Sequence, residues 1–159
     1  MALTATARNT IYDAFVNRVG AATFAEPVNG QSQFVTVTKR LKLWNKVDVS
    51  LQPYLCVTIH KETYRNQGAN LPRIKVIPAM LYIYAPTGDP ETSTVSGSEI
   101  LNTIRDAIDV QMKPDDIVQG RLTLGGLVNR VIIDGEQFVD PGDLDGQALL
   151  ILSASILLP

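Results

Sequence analysis

The sequence predicts an α+β fold in which two α-helices flank a mainly antiparallel β-sheet with extended hairpin loops, within one compact domain over residues 1–159. Three observations predict it. The apolar segment Leu71–Pro86 is rich in β-branched and aromatic residues, as in a central strand. Two other segments have the spacing of amphipathic helices. The remaining apolar runs are separated by turn signals, which favours hairpins over βαβ units.

The first helix is predicted at about residues 4–23 and ends near Gly20. Its apolar stripe recurs every four residues: Leu3, Ala7, Ile11 and Phe15. The segment Glu26–Ser32 is rich in turn residues, so we expect a loop there. A short alternating strand follows at Phe34–Thr38.

The segment after this strand, Lys39–Lys46, carries positive charge and no negative charge. Its cations are Lys39, Arg40, Lys42 and Lys46. Lysines are common on exposed edge strands, where they prevent pairing with other sheets. The alternative is a surface for a polyanion, with Trp44 as a stacking platform. We favour edge protection, because stacking on bases normally needs more than one aromatic side chain.

A strand at Tyr54–His60 and the central strand are joined by Lys61–Asn70, which we expect to be the loop of a long β-hairpin. This segment is longer than the roughly 2–5 residues of typical hairpin loops. Its length indicates a binding role, and the alternative is a mobile tip without one. The candidate contact residues are Lys61, Glu62, Tyr64, Arg65, Asn66, Gln67, Gly68 and Asn70.

The central strand is apolar on both faces from Val76 onward, so we expect it to be covered on both sides. Pro78 has no N–H to donate, which predicts a bulge or an edge position. After a loop at Pro86–Thr94, the segment Ser96–Glu99 has capping-box spacing and begins the second helix. Lys113-Pro114 ends that helix.

The second helix has a predicted buried stripe, formed by Ile100, Leu101, Ile104, Ala107, Ile108 and Met112. Beyond it, Asp134-Gly135 lies between two apolar runs, which is a strong hairpin signal. The last strand is predicted at Ala148–Leu158, and this run is too short to span a bilayer. We expect neither a leader peptide nor a membrane partner.

The charge is divided unevenly along the chain. The net charge of −2 argues against a dedicated nucleic-acid-binding domain. Residues 1–80 carry ten Lys and Arg and four Asp and Glu, a net +6, whereas residues 81–159 carry four and twelve, a net −8. A subunit with one positive and one negative face suits head-to-tail contact between copies.

Few residues suggest chemistry. Cys56 and His60 would lie about 13 Å apart on one strand, too far for a dyad, and a single cysteine excludes an internal disulfide. The aspartates at 140, 143 and 145 lack the EF-hand pattern, so we interpret them as solvated turn acids. Gly125-Gly126 lacks the ending of a phosphate-binding loop. We therefore expect a non-enzymatic assembly or binding domain without cofactor or metal.

The order of several motifs resembles the tail terminator, or tail-completion, proteins of long-tailed bacteriophages. These motifs are Trp44–Val47 followed by Gln52–Leu55, the long hairpin through Gly68 and Pro72, the strand ending Leu81–Tyr84, a second helix ending near Pro114, Thr123–Val128, Asp134-Gly135 and an apolar terminal strand. The resemblance covers the chain from about Phe34 onward. Tyr54 stands where a small residue is expected.

The resemblance implies a structural virion protein, assembled in the host bacterial cytoplasm, that forms a homo-oligomeric ring, expected to be a hexamer, on the completed tail tube. Such a ring ends tube polymerisation and joins the tail to a neck or stopper protein, with a sheath protein as a further partner if the tail contracts. Genome DNA passes through the lumen. The family implies no catalytic residues and no cofactor.

On this interpretation the segment Lys61–Asn70 contacts the tube or the neck, and the cationic strip at Lys39–Lys46 faces the lumen. Two kinds of alternative remain. One is another head–tail ring, such as a neck, stopper or tube subunit. The other is a small-ligand-binding or enzymatic α+β domain, which would need a pocket with convergent polar groups.

Overall fold

Two helices pack on one face of a seven-stranded sheet in the computed structural model, which describes residues 7–158. The helices are α1 (Arg8–Gly20) and α2 (Gly97–Gln111). The strands are β1 (Thr23–Val28), β2 (Gln31–Gln33), β3 (Thr36–Thr38), β4 (Tyr54–Ile59), β5 (Thr63–Arg65), β6 (Ile74–Pro86), β7 (Arg130–Ile133), β8 (Phe138–Asp140) and β9 (Gln147–Leu157). Two 3₁₀ turns lie at Trp44–Lys46 and Val49–Leu51.

The main sheet has the strand order β3-β4-β6-β9-β7. β5 pairs with β6 beyond the end of β4, and β8 pairs with β9 beyond the end of β7. The pairing of β3 with β4 is parallel and the other ladders are antiparallel. The predicted α+β fold with a mainly antiparallel sheet is therefore confirmed.

The core lies between the helices and one face of the sheet. The odd-numbered residues of β6 from Ile77 to Ala85 are buried on that face. From Pro78 to Tyr82 the even-numbered residues lie on the opposite face and are only half-buried. The prediction of cover on both sides is wrong for this part of β6, since no helix packs on its second face among residues 7–158.

Part of the second face is covered by residues 39–53, which we call the crossover. It leads from β3 back to the start of β4. Tyr54 and Tyr84 stack beneath it, with ring centroids 5.2 Å apart and rings nearly parallel. The Tyr54 hydroxyl donates to the Arg40 carbonyl at 3.1 Å, and the Tyr84 hydroxyl donates to the Lys42 carbonyl at 2.7 Å. These bonds attach an otherwise irregular segment to the sheet.

The crossover is also attached by a buried amide pair. Gln52 and Gln147 donate to each other at 2.9 and 2.8 Å. The Gln52 amide also donates to the Val47 carbonyl, at 3.2 Å, so its buried nitrogen is fully used. The Gln52-Pro53 peptide bond is cis. A short sequence motif of the resemblance thus fixes the crossover against the beginning of β9.

The N-terminal third differs from the prediction in two places. α1 begins at Arg8, and the predicted helical residues 4–6, together with Leu3 of the apolar stripe, lie outside the described part of the chain. The expected loop at Glu26–Ser32 is wrong, because β1 and β2 form a hairpin there. Its turn is Asn29-Gly30, with positive φ at both residues, as the twist of a tight hairpin requires.

The bulge predicted at Pro78 is confirmed and the alternative of an edge position is not, because Ile59 pairs with Ala79 but Thr63 pairs with Val76, which sets residues 60–62 opposite only Ile77 and Pro78. Pro78 lies in the interior of the sheet, and its pairing with Ser155 keeps the regular β6–β9 register. Its carbonyl accepts the His60 N–H at 2.8 Å, on the side of β6 that faces β4 and β5. The missing N–H therefore falls at this bulge, between the end of β4 and the start of β5.

The predicted hairpin at Asp134-Gly135 is also wrong. β7 and β8, on either side of this turn, both pair with β9 and do not pair with each other. In contrast, α2 agrees with the prediction. The Ser96 side chain accepts the Glu99 N–H at 3.4 Å. In the predicted stripe, four residues are buried and the remaining two, Ile100 and Met112, are partly buried.

Candidate functional site

The hairpin between β4 and β6 projects beyond the core and is the first predicted contact surface. The segment Lys61–Asn70 is not entirely a loop, because Thr63–Arg65 pairs with Ile74–Val76. We call residues 61–75 the arm, with a tip at residues 66–70 and a base formed by the remainder. The strand pairing extends the hairpin and leaves the tip exposed to solvent.

Three of the predicted contact residues of the arm are engaged within the subunit. The Arg8 guanidinium donates two bonds to the Glu62 carboxylate, at 2.7 and 3.0 Å. The bond from Arg8 lowers the pKa of Glu62, and nearby Lys75 lowers it further. Gln67 donates to the Pro72 carbonyl at 2.9 Å and so braces the tip. Arg65 lies 3.8 Å from the Asp134 carboxylate.

The other predicted arm residues are exposed to solvent. They are Lys61, Tyr64, Asn66, Gly68 and Asn70. Tyr64 is 60% exposed and is paired in register with Lys75, which is also exposed. An exposed aromatic ring beside cations is typical of residues that anchor protein interfaces.

The cationic strip does not form one surface. Lys39 makes an ion pair with Asp13 and lies 4.6 Å from the centre of the Tyr12 ring, so it fixes the end of β3 against α1. Arg40, Lys42 and Lys46 are exposed and form no ion pair within residues 7–158. The edge-strand interpretation is wrong for these three, because β3 ends at Thr38 and they belong to the crossover.

The crossover also exposes apolar side chains, which the sequence analysis did not identify as a surface. These are Leu41, Leu43, Trp44, Val49 and Leu51. Leu43 is the most exposed, at 68%. The alternation of Arg40-Leu41-Lys42-Leu43 is lost at Trp44, and this break in the period of an apolar segment was the available signal. Apolar and cationic side chains thus alternate on the outside of the crossover.

A second surface that the sequence analysis did not assemble is acidic. The pairing of Pro86 with Gln147 brings residues 87–94 next to residues 140–146, and we call these two segments the acidic turns. Thr87 joins them, because its N–H donates to the Gly146 carbonyl at 2.9 Å and its hydroxyl donates to the Gly142 carbonyl at 3.0 Å. The exposed carboxylates are Asp89, Glu91, Asp143 and Asp145.

The interpretation of the aspartates at 140, 143 and 145 as turn acids is confirmed for Asp140 and Asp145. Asp140 accepts the Gly142 N–H at 2.9 Å, and Asp145 accepts the Gln147 N–H at 3.0 Å. Asp89 does the same for the Glu91 N–H, at 2.9 Å. No cluster of three or more His, Cys, Asp or Glu side chains in the described residues could hold a metal ion.

The single cysteine lies inside the sheet, and the single histidine adjoins the base of the arm. Cys56 is buried, and desolvation raises the pKa of its thiol to about 11. It is therefore protonated at neutral pH, when its reactivity is low. His60 is exposed just beyond the end of β4, with Nε2 3.2 Å from the Thr58 hydroxyl.

Comparison of the chain with known proteins gave no match to a family model and none to a curated protein. Among residues 7–158, no helix has the length and apolar character needed to cross a membrane.

Proposed function

We propose that this chain is a structural ring subunit of a phage virion that caps the tail tube, ends its polymerisation and joins the tail to the neck. The observation that carries this proposal is the order of the tail-terminator-like motifs. The fold adds support, since these motifs have specific structural roles in it. Gln52 fixes the crossover to β9, and the arm extends beyond the core.

In this proposal the subunit is non-enzymatic and has no cofactor. Its partners are further copies of itself in a hexameric ring, the tail tube protein, a neck or stopper protein and, in a contractile tail, a sheath protein. DNA passes through the ring, and assembly takes place in the cytoplasm of the bacterial host. The proposal assigns the arm tip to the tube or neck and the cations of the crossover to the lumen.

Electron microscopy of the purified protein, alone and mixed with uncapped tail tubes, tests the proposal. Six-fold rings, or a cap at one end of tubes of fixed length, are the expected result. Long tubes formed by the protein alone would instead identify a tube subunit. A monodisperse monomer that ignores tubes would refute the proposal.

The contact of the tip with the tube has its own test. Deletion of Asn66–Asn70 leaves the β5–β6 ladder intact with a connection of three residues, Leu71–Arg73. We expect a folded subunit that no longer caps tubes. A second variant replaces the same five residues by glycine and serine, which keeps the reach but removes the side chains. Capping by both variants would contradict a role for the tip.

The assignment of the crossover to the lumen is tested by reversing charge at its three free cations, in the variant Arg40→Glu/Lys42→Glu/Lys46→Glu. If these residues face the DNA, virions that carry the variant should eject their DNA more slowly or less completely. Unchanged ejection would argue against this assignment.

A further inference from the structure

The base of the arm carries positive charge that is not neutralised within the subunit. Lys61, Arg73 and Lys75 are exposed, and none forms an ion pair with another described residue. The only carboxylate of the arm, Glu62, is held by Arg8 of α1. The base therefore has a net positive charge with Tyr64 exposed among its cations.

The acidic turns at the opposite end of β6 carry negative charge, and the cations of the crossover lie near the same end, since Tyr84 donates to the Lys42 carbonyl. The acidic turns contain Asp89, Glu91, Asp143 and Asp145, and neither residues 76–104 nor residues 131–158 include a Lys or Arg. None of these carboxylates forms an ion pair within the described residues. Leu144, which lies between Asp143 and Asp145, is 95% exposed. Leu144 is thus a highly exposed apolar side chain within a negative surface.

These charges cannot neutralise each other within one subunit. β6 runs for 13 residues between the two ends, which at about 3.3 Å per residue is roughly 40 Å. The Debye length at physiological ionic strength is about 8 Å. Charges this far apart are largely screened from each other, so these two surfaces do not pair within one subunit.

We propose that the base of the arm of one copy binds the acidic turns of a second copy, in a head-to-tail contact. The three cations face carboxylates, and Tyr64 packs against Leu144. Each copy carries both halves of the contact, which is therefore heterologous and forms a ring when its rotation closes. This rests on the proposed ring function and names the contact that would build the ring.

Charge reversal at residues without structural bonds tests the contact. The arm variant is Lys61→Glu/Arg73→Glu, and the turn variant is Glu91→Lys/Asp143→Lys. Within residues 7–158, the side chains of these four residues form no hydrogen bond or ion pair, so each variant should fold as the parent does, which circular dichroism checks. The control Asp106→Lys/Glu136→Lys makes the same change in net charge as the turn variant at other exposed positions.

Sedimentation velocity of the full chain at about 50 mM salt gives the readout. We expect the parent and the control to self-associate, and each variant to do so at least about tenfold more weakly, because the arm variant sets like charges against each other and the turn variant removes the net negative charge of the turns. An equal mixture of the two variants should form a dimer and nothing larger, since only one intact pair of surfaces remains.

Self-association of either variant at the parent's strength would overturn the inference. A parent that stays monomeric, or a mixture that forms no dimer, would also overturn it. The outcome is separable from that of the proposed function. If the parent forms rings that cap tubes and the variants associate as strongly as the parent, only this contact is refuted. Copies that associate as expected and still ignore tubes would refute only the capping function.

Discussion

Asp115 shows how one side chain can determine the path of a turn. Its carboxylate accepts the N–H and hydroxyl of Thr123, at 2.7 and 2.8 Å, and the N–H of Gly125, at 2.8 Å. The chain then passes through positive φ at Leu124, Gly125 and Gly126. Positive φ is unfavourable for a leucine, so the three hydrogen bonds hold a conformation that Leu124 alone would avoid.

Asp115→Asn should destabilise the fold by roughly 1 kcal/mol at pH 7, a modest value because the carboxylate is exposed. Desolvation raises the pKa of Asp115, but the bonds from Gly125 and Thr123 outweigh it and lower the pKa to about 2. The carboxylate's contribution is therefore complete above the unfolded-state pKa of about 3.9 and declines as the pH falls towards 2. Urea unfolding at pH 7 and at pH 2.5 measures both effects.

The matched control for this prediction is Asp106→Asn, at an exposed position on α2 where the side chain has no hydrogen bond to another described residue. It should leave the free energy of unfolding within about 0.5 kcal/mol of the parent. A loss for Asp115→Asn that is as large at pH 2.5 as at pH 7 would contradict the role of the carboxylate charge.

At the scale of elements, the crossover depends on two tyrosine hydroxyls. In Tyr54→Phe/Tyr84→Phe the stacked rings remain, but the carbonyls of Arg40 and Lys42 lose their donors. Each lost bond costs about 1 kcal/mol. We expect faster hydrogen exchange at Lys46 and Val47, whose N–H groups bond within the crossover. The control Tyr64→Phe changes an exposed hydroxyl of the arm and should leave this exchange unchanged.

The start of α2 depends on a close approach to the chain before β9. A Cβ added at Gly97 would lie 1.6 Å from the Pro141 carbonyl oxygen. Replacing glycine by alanine in a helix normally stabilises it by about 1 kcal/mol. Gly97→Ala should instead destabilise the fold by at least about 2 kcal/mol, because backbone must move. Thermal unfolding measures this, and the exposed neighbour Ser98→Ala should be nearly neutral.

The sequence was sufficient to predict elements whose apolar residues recur with a clear period. It was insufficient where pairing with a distant strand decides the local structure. β6, β9 and α2 agree with the prediction because their burial patterns are long. The β1–β2 hairpin was missed although Asn29-Gly30 signals it, because the segment around it is mostly polar. Asp134-Gly135 gave the reverse error, since the edge of β9 offers β7 and β8 a longer partner than either offers the other.

At the scale of the whole molecule, one candidate surface was visible in the local sequence and another depended on tertiary pairing. The arm was predicted because its length is visible in the sequence. The acidic turns were not predicted as one surface, because residues 87–94 and 140–146 meet only through the register of β6 with β9. The charge difference between the two halves of the chain was visible, but only the direction of β6 places the arm and the acidic turns at opposite ends of the subunit.

This separation of charge predicts that self-association depends strongly on salt. Raising the salt from about 50 mM to 1 M reduces the Debye length from more than 10 Å to about 3 Å. We expect the dissociation constant to rise at least about tenfold over this range. The stability of each subunit should change little, because its ion pairs, such as Arg8–Glu62, are partly exposed and contribute little to stability. Sedimentation and urea unfolding across the same salt series separate the two effects. Association that is indifferent to salt would contradict the charged contact and favour the apolar side chains of the crossover, Leu43 and Trp44 foremost, as the surface that joins copies.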